Sequence, residues 1–188
     1  MSESRTISKT GAELQDVVEL LDQLTGEFFL PYNVFDVVEG SPTVEIGGSA
    51  NSSGYALDAG TQESVATVIR VPNFLPGVDF SKDISTNINW SAAATSGDVL
   101  FALTVIPVAI GEDVGGTAVG ANSLDTVAGT ADYLSEAPEI AIAASSVESS
   151  DLVFLKITRV AADGTDTMTG DALFHGVRIS YTTNPNIV

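Results

Sequence analysis

The sequence contains no cysteine. A thiol nucleophile, a thiolate metal site and a disulfide framework are all excluded, so the chain must fold on its apolar core alone. Bases are scarce: 7 lysines and arginines stand against 25 aspartates and glutamates, a formal net charge of −18. Such a surface repels nucleic acid and anionic membrane, and neither is expected as a partner. There is one histidine, too few for a zinc site without cysteine. Aromatic residues are only 7% with a single tryptophan, which argues against the aromatic-lined cleft of a small glycosidase. Long apolar runs are missing as well. The longest, VLFALTVIPVAI (Val99 to Ile110), has 12 residues including a threonine and a proline, where a spanning helix needs about 20. The N-terminal MSESRTISK carries charges but no apolar h-region, so no secretory leader is expected.

The 188 residues fit one domain, and a domain of this size buries roughly 70% of the surface its unfolded chain exposes. Thr10 to Gly26 (TGAELQDVVELLDQLTG) predicts a helix. Thr10 can cap it with Glu13 three residues on, and Gly26 is a plausible stop. Leu14, Val17, Leu21 and Leu24 are spaced as a seam that Val18 widens. That stripe is expected either to lie on its own domain or to serve as an anchor or oligomerisation helix. The organisation expected is an N-terminal arm and helix, 1–26, followed by a β-domain, 27–188.

From residue 27 onward, β-branched and aromatic runs alternate with glycine-, serine-, asparagine- and aspartate-rich turns. Strands are predicted near Phe28–Val38, Thr43–Ile46, Tyr55–Ala59, Val65–Val71, Ser85–Ser91, Val99–Ile110, Glu139–Ala144, Leu152–Val160 and Leu173–Thr182. Many short strands with such turns indicate an antiparallel β-sandwich or barrel. Alternation assigns faces: Ile88 and Trp90 oppose Asn87 and Asn89, and Val153, Leu155 and Ile157 oppose Phe154, Lys156 and Thr158. The Val99–Ile110 strand is apolar on both sides. It is expected to be central, or covered on one face by another subunit, with Pro107 at a bulge or strand end.

Asp163, Asp166, Asp171 and His175 crowd into thirteen residues. A calcium site would draw on the three aspartates, but an EF-hand places acids at loop positions 1, 3, 5 and 12 with glycine at 6. Here they stand at 1, 4 and 9 with glycine at 2. The expected reading is an Asp- and Gly-rich loop between two strands. His175 then falls in phase with Leu173, Val177, Ile179 and Tyr181, facing the core or a subunit contact. No G-x-S-x-G elbow occurs, and GGSANSSG lacks the lysine of a phosphate loop. No catalytic residue or cofactor is assigned.

The blocks NINWSAAATSGDVLFALTVIPVAIGED, DTVAGTADYL and DLVFLKITRVAADGTDTMTGDALFHGVRISYTT resemble the jelly-roll domains of tailed-bacteriophage virion proteins. The resemblance covers about residues 65–183. It lies in a tryptophan strand, a glycine turn, a long apolar strand, an Arg-x-Ala strand end, an Asp-x-x-Asp loop and a Gly-Asp-Ala step. It implies a jelly-roll, here preceded by the short α-helix read above, in a structural protein of the virion assembled in the host cytoplasm. A trimeric capsid decoration (cement) or head-fibre protein is implied first, docked on the major capsid protein or another virion protein, with a tail fibre or adaptor as alternative. Core or subunit-contact candidates are Trp90, Phe101, Val105, Leu134, Ile142 and His175. A second alternative, of another class, is a lectin-like carbohydrate-binding module, with Asp163, Asp166 and Asp171 as weak calcium candidates.

Overall fold

In β11 (Leu152–Arg159) every second residue from Val153 is buried, and the same period runs through β6 (Asp83–Ser91) and β7 (Asp98–Val108). A two-residue period buries one face of each strand, so two sheets must close on one another. The computed structural model describes residues 25–47, 52–70, 77–147 and 152–183. The other strands are β1 (Thr25–Pro31), β2 (Asp36–Glu39), β3 (Thr43–Gly47), β4 (Ser52–Leu57), β5 (Glu63–Arg70), β8 (Val119–Thr126), β9 (Ser135–Glu136), β10 (Ile140–Ala143) and β12 (Ala172–Thr182).

Sheet A runs β10-β6-β12-β4-β3, with β1 also paired to β12 and β9 to β6; sheet B runs β2-β5-β11-β7-β8. All pairings are antiparallel. The eight strands β4 to β8 and β10 to β12 divide between the sheets so that β4-β12-β6-β10 face β5-β11-β7-β8. That is the jelly-roll order of two Greek keys, as expected from the sequence. Trp90, Phe101, Val105, Leu155, Ile157, Phe174 and Val177 fill the space between.

Four expectations need correction. The predicted Phe28–Val38 strand is two strands in different sheets. Pro31 has no N–H to continue the ladder, and a 3-10 turn (Tyr32–Val34) carries the chain across. Strand β8 was not expected, because VGANSLDT puts Ser123 and Asp125 on its inward phase. The predicted helix with Leu14, Val17, Val18, Leu21 and Leu24 lies outside the described residues. Its expected stop, Gly26, is described and is no helix cap. It sits in β1 opposite Tyr181, where a Cβ would collide with the tyrosine ring. Pro107 is the penultimate residue of β7, beyond the end of β8, so no ladder donor is missed on that side.

The fourth correction concerns β12. Its register against β6 shifts between Phe174 and Gly176. One extra residue reverses the phase of everything after it. Phe174 faces in, and Val177, Ile179 and Tyr181 also face in, while Leu173 and His175 lie on the other side of the sheet.

Candidate functional site

The outer face of sheet A is where the fold gathers polar side chains. Across it, β1 contributes Glu27 and Phe29, β12 contributes His175, Arg178 and Ser180, β6 contributes Asn87, Asn89 and Ser91, and β9 contributes Glu136. Each follows from strand phase: Phe28 and Leu30 pack inward, leaving Glu27 and Phe29 outward, and Ile88 and Trp90 pack inward, leaving the two asparagines outward.

Arg178 is the centre of this row. Its Nε donates to Glu136 Oε1 (2.7 Å), Nη2 donates to Glu136 Oε2 (2.9 Å) and Asn87 Oδ1 (3.0 Å), and Nη1 donates to Glu27 Oε2 (3.2 Å). The hydrogen bonds from Glu136, then Glu27, raise its pKa above the usual arginine value. Opposite Arg178 stands Phe29, 49% exposed. Its ring lies on the backbone of Gly176, where any Cβ would strike it. A ring held flat by a glycine, beside a planar guanidinium and two amides, forms a platform with a polar border.

His175 comes next along β12. Its Nδ1 is 3.1 Å from the Ser53 carbonyl and its Nε2 is 2.9 Å from Ser91 Oγ. A carbonyl only accepts, so Nδ1 carries the hydrogen and donates it. Nε2 of the neutral ring then accepts from the serine hydroxyl. The sequence reading placed His175 inward; the bulge places it on this outer face.

Beyond His175 the face drops into a cleft of about 340 Å³ lined by Glu45, Ala56, Ser91, Ala92, Ala93, Asp132, Asp171 and Leu173. Small residues floor it and carboxylates stand around it. Asp132 has φ 64°, a left-handed conformation, and its N–H donates to the Ala92 carbonyl at 2.7 Å. Leu173 to Arg178 spans five residues of strand, roughly 16 Å, so the cleft and the Phe29–Arg178 pair lie in line along the same face, a track of about that length.

The three aspartates of the loop do not meet. Asp163 closes its own turn by accepting from the Thr165 N–H and hydroxyl, which hold its pKa below the usual carboxylate value. Asp171 lines the cleft. Asp166 is buried in a salt bridge with Arg159. Arg159 Nε donates to Asp166 Oδ2 (3.0 Å) and Nη2 to Oδ1 (2.9 Å). Its remaining N–H groups donate to the carbonyls of Leu57 (2.9 Å), Gly170 (2.7 Å) and Met168 (2.8 Å). Among the described residues no three Asp, Glu or His side chains converge as metal ligands would. The calcium reading of Asp163, Asp166 and Asp171 is thereby corrected: one caps a turn, one neutralises a buried arginine, and one stands at the cleft.

The other candidates separate clearly. Trp90, Phe101, Val105 and Ile142 are core residues, with Trp90 edge-on to Phe101 at 5.7 Å and its Nε1 donating to Asp125 Oδ2 at 2.8 Å. Leu134 is 67% exposed and belongs to no core. Sequence reasoning missed Phe29, Arg178 and Glu136 as members of one site. The strand alternation of β6 and β12 pointed to a polar outer face but not to which strand would supply its aromatic ring.

No family model matches the chain, and no curated protein matches it either. Solved structures of similar shape include the CBM36-1 domain of a multidomain xylanase from the hindgut metagenome of Trinervitermes trinervoides. It has 12% identity over 82% of this chain and 96% of that one, with TM-score 0.48. CBM35 from Cellvibrio japonicus Abf62 has 9% identity over 85% and 99%, with TM-score 0.48. The CBM22-1 xylan-binding domain of Paenibacillus barcinonensis Xyn10C has 10% identity over 83% and 86%, with TM-score 0.42. Identity at this level transfers no residue role to this chain.

Proposed function

We propose that this chain is a non-catalytic carbohydrate-binding domain that takes a neutral oligosaccharide along the outer face of sheet A. The observation that carries the reading is the outer face itself: a cleft of about 340 Å³ that Ser91 lines, His175 bonded to that serine, and farther along the same strand Arg178 with the exposed ring of Phe29 opposite it. A sugar ring presents an apolar C–H face and a rim of hydroxyls. An aromatic platform matches the first, and planar amide, carboxylate and guanidinium groups match the second. Glu27, Glu45, Asp132, Glu136 and Asp171 outnumber Arg178 among the described residues of this face, so an anionic ligand is repelled and a neutral polyol is favoured.

The test is binding of the full chain to a panel of neutral oligosaccharides and polysaccharides, by array and then calorimetry. Phe29→Ala and Arg178→Ala should each weaken binding by at least about tenfold, or 1.4 kcal/mol. Leu124→Ala, on the opposite sheet, should not. Absence of any glycan binding, or equal loss in all three variants, would sink the reading.

The virion assembly implied by the strand pattern is the second reading, supported by the jelly-roll order. It ranks behind because three of its expected contact residues, Phe101, Val105 and Ile142, are used up in the core. A trimer in solution, seen as three times the 19.4 kDa chain mass by light scattering, would raise it, and a monomer would lower it.

A further inference from the structure

His175 is the extra residue of the β12 bulge. Phe174 pairs with Trp90 and Gly176 with Asn89, and nothing on β6 stands opposite the residue between them. A bulge re-aims the side chain it carries, and this one reaches Ser91. Ser91 is 4% exposed and lines the cleft. The other polar side chains of that lining, among the described residues, are Glu45, Asp132 and Asp171. An ionised carboxylate only accepts hydrogen bonds. The Ser91 hydroxyl is therefore the one side-chain donor among these groups, and it is already committed. With Nδ1–H given to the Ser53 carbonyl at 3.1 Å, His175 Nε2 takes the serine hydrogen at 2.9 Å.

We propose that His175 is a positioning residue that sets the hydrogen-bond polarity of the cleft through Ser91. Resting on the carbohydrate reading, this role narrows the ligand to one class. With the ring neutral, every polar side chain of the cleft accepts, so the ligand must bring the donors. Free sugar hydroxyls qualify, and O-methylated or O-acylated ones do not. With the ring charged, both nitrogens donate. Nδ1 keeps the Ser53 carbonyl, Nε2 donates to Ser91 Oγ, and the serine hydrogen turns to the cleft. No hydrogen bond is lost; the direction of one is reversed. The positions adjoining the ring are uncharged: Ser53 and Gly54 on β4, Asn89 and Ser91 on β6, and Phe29 and Leu30 of β1 at Gly176. The charges of the face are Glu45 on β3, opposite Gly54, Asp132 and Asp171 at the cleft, and Arg178 with Glu27 and Glu136 farther along.

The chain has one histidine, so its imidazole nitrogens give unambiguous resonances. The experiment is NMR of the full chain at about pH 8 and about pH 5, the span over which imidazoles change charge. Two matched probes are added in turn: ethylene glycol, a vicinal diol, and its dimethyl ether, the same skeleton without donors. At the higher pH, the expected result is hydrogen on Nδ1 and none on Nε2. The diol should shift the amide signals of Ala92, Ala93 and Leu173, and the ether should not. At the lower pH both nitrogens should carry hydrogen, and the ether should shift those amides too. Ser91→Ala should abolish the response to the ether while the ring still titrates, whereas donation by protonated carboxylates would survive that change. Hydrogen on Nε2 at the higher pH, or a ring still neutral at the lower, overturns the proposal and leaves the carbohydrate reading standing. So does an ether response that is present at the higher pH, absent at the lower, or retained in Ser91→Ala. Amides that neither probe shifts at either pH overturn the proposal together with the cleft's part in that reading.

Discussion

Arg159 is wholly buried, yet all five of its N–H groups have acceptors. Its phase on β11 is inward, the same as Val153, Leu155 and Ile157. It therefore ties the β11–β12 loop to the end of β4 through Asp166, Met168, Gly170 and Leu57. A charge in that position is tolerable only with its partner present, because an unpaired buried ion loses its hydration without compensation. Arg159→Met and Asp166→Asn should each lower unfolding stability by about 3–5 kcal/mol in urea titrations. The double variant Arg159→Met/Asp166→Asn should lose less than the sum of the two, since it leaves no orphan charge. Additive losses would mean that the two side chains act independently. The sequence did hold a signal here: a base on the inward phase of a predicted strand, seven residues before an aspartate, in a chain short of bases.

At the scale of elements, the bulge in β12 decides the site. Gly176 has φ 151°, and a Cβ there would run into the Leu30 carbonyl of β1 and the ring of Phe29. The extra residue turns His175 outward and returns Val177 to the core. Gly176→Ala should loosen β1 from β12 and cost about 1–3 kcal/mol. The amides of Phe28 to Leu30 should exchange with solvent faster, while those of β11 should not change beyond the global loss. Protection unchanged at Phe28 to Leu30 would show that β1 does not depend on the glycine. A bulge of this kind is hard to read from sequence, because LFHGVRISY keeps an apparent two-residue alternation straight through it. Strand β8 escaped for the opposite reason. Its inward residues Ser123 and Asp125 are polar and satisfied by the Pro138 carbonyl and the Trp90 indole N–H, so it shows no apolar period.

For the whole molecule, the distribution of charge matters more than its total. Acids crowd the loops, the sheet A face and the edge strand β2, while the outward positions of the central strands β5 and β11 carry Arg70 and Lys156 and no acid. Repulsion among acids destabilises the compact state and is screened within about 10 Å at 0.1 M salt. Melting temperature should therefore rise as sodium chloride is increased from about 0.02 M to about 0.5 M. A flat or falling profile by calorimetry would mean that local pairs such as Arg178–Glu136 outweigh the general repulsion.

The sequence by itself determined the class of fold. The two-residue period of β6, β7 and β11, the glycine turns and the absence of cysteine leave an antiparallel sandwich as the stable way to bury one face of so many short strands. Pairing order, bulge position and the meeting of Phe29 with Arg178 were decided by tertiary structure. Those two residues are 149 positions apart in sequence (178 − 29), and the addition of β1 to β12 brings them opposite each other. Local propensity cannot encode such a contact, because whether a face binds depends on which distant strands supply its neighbours.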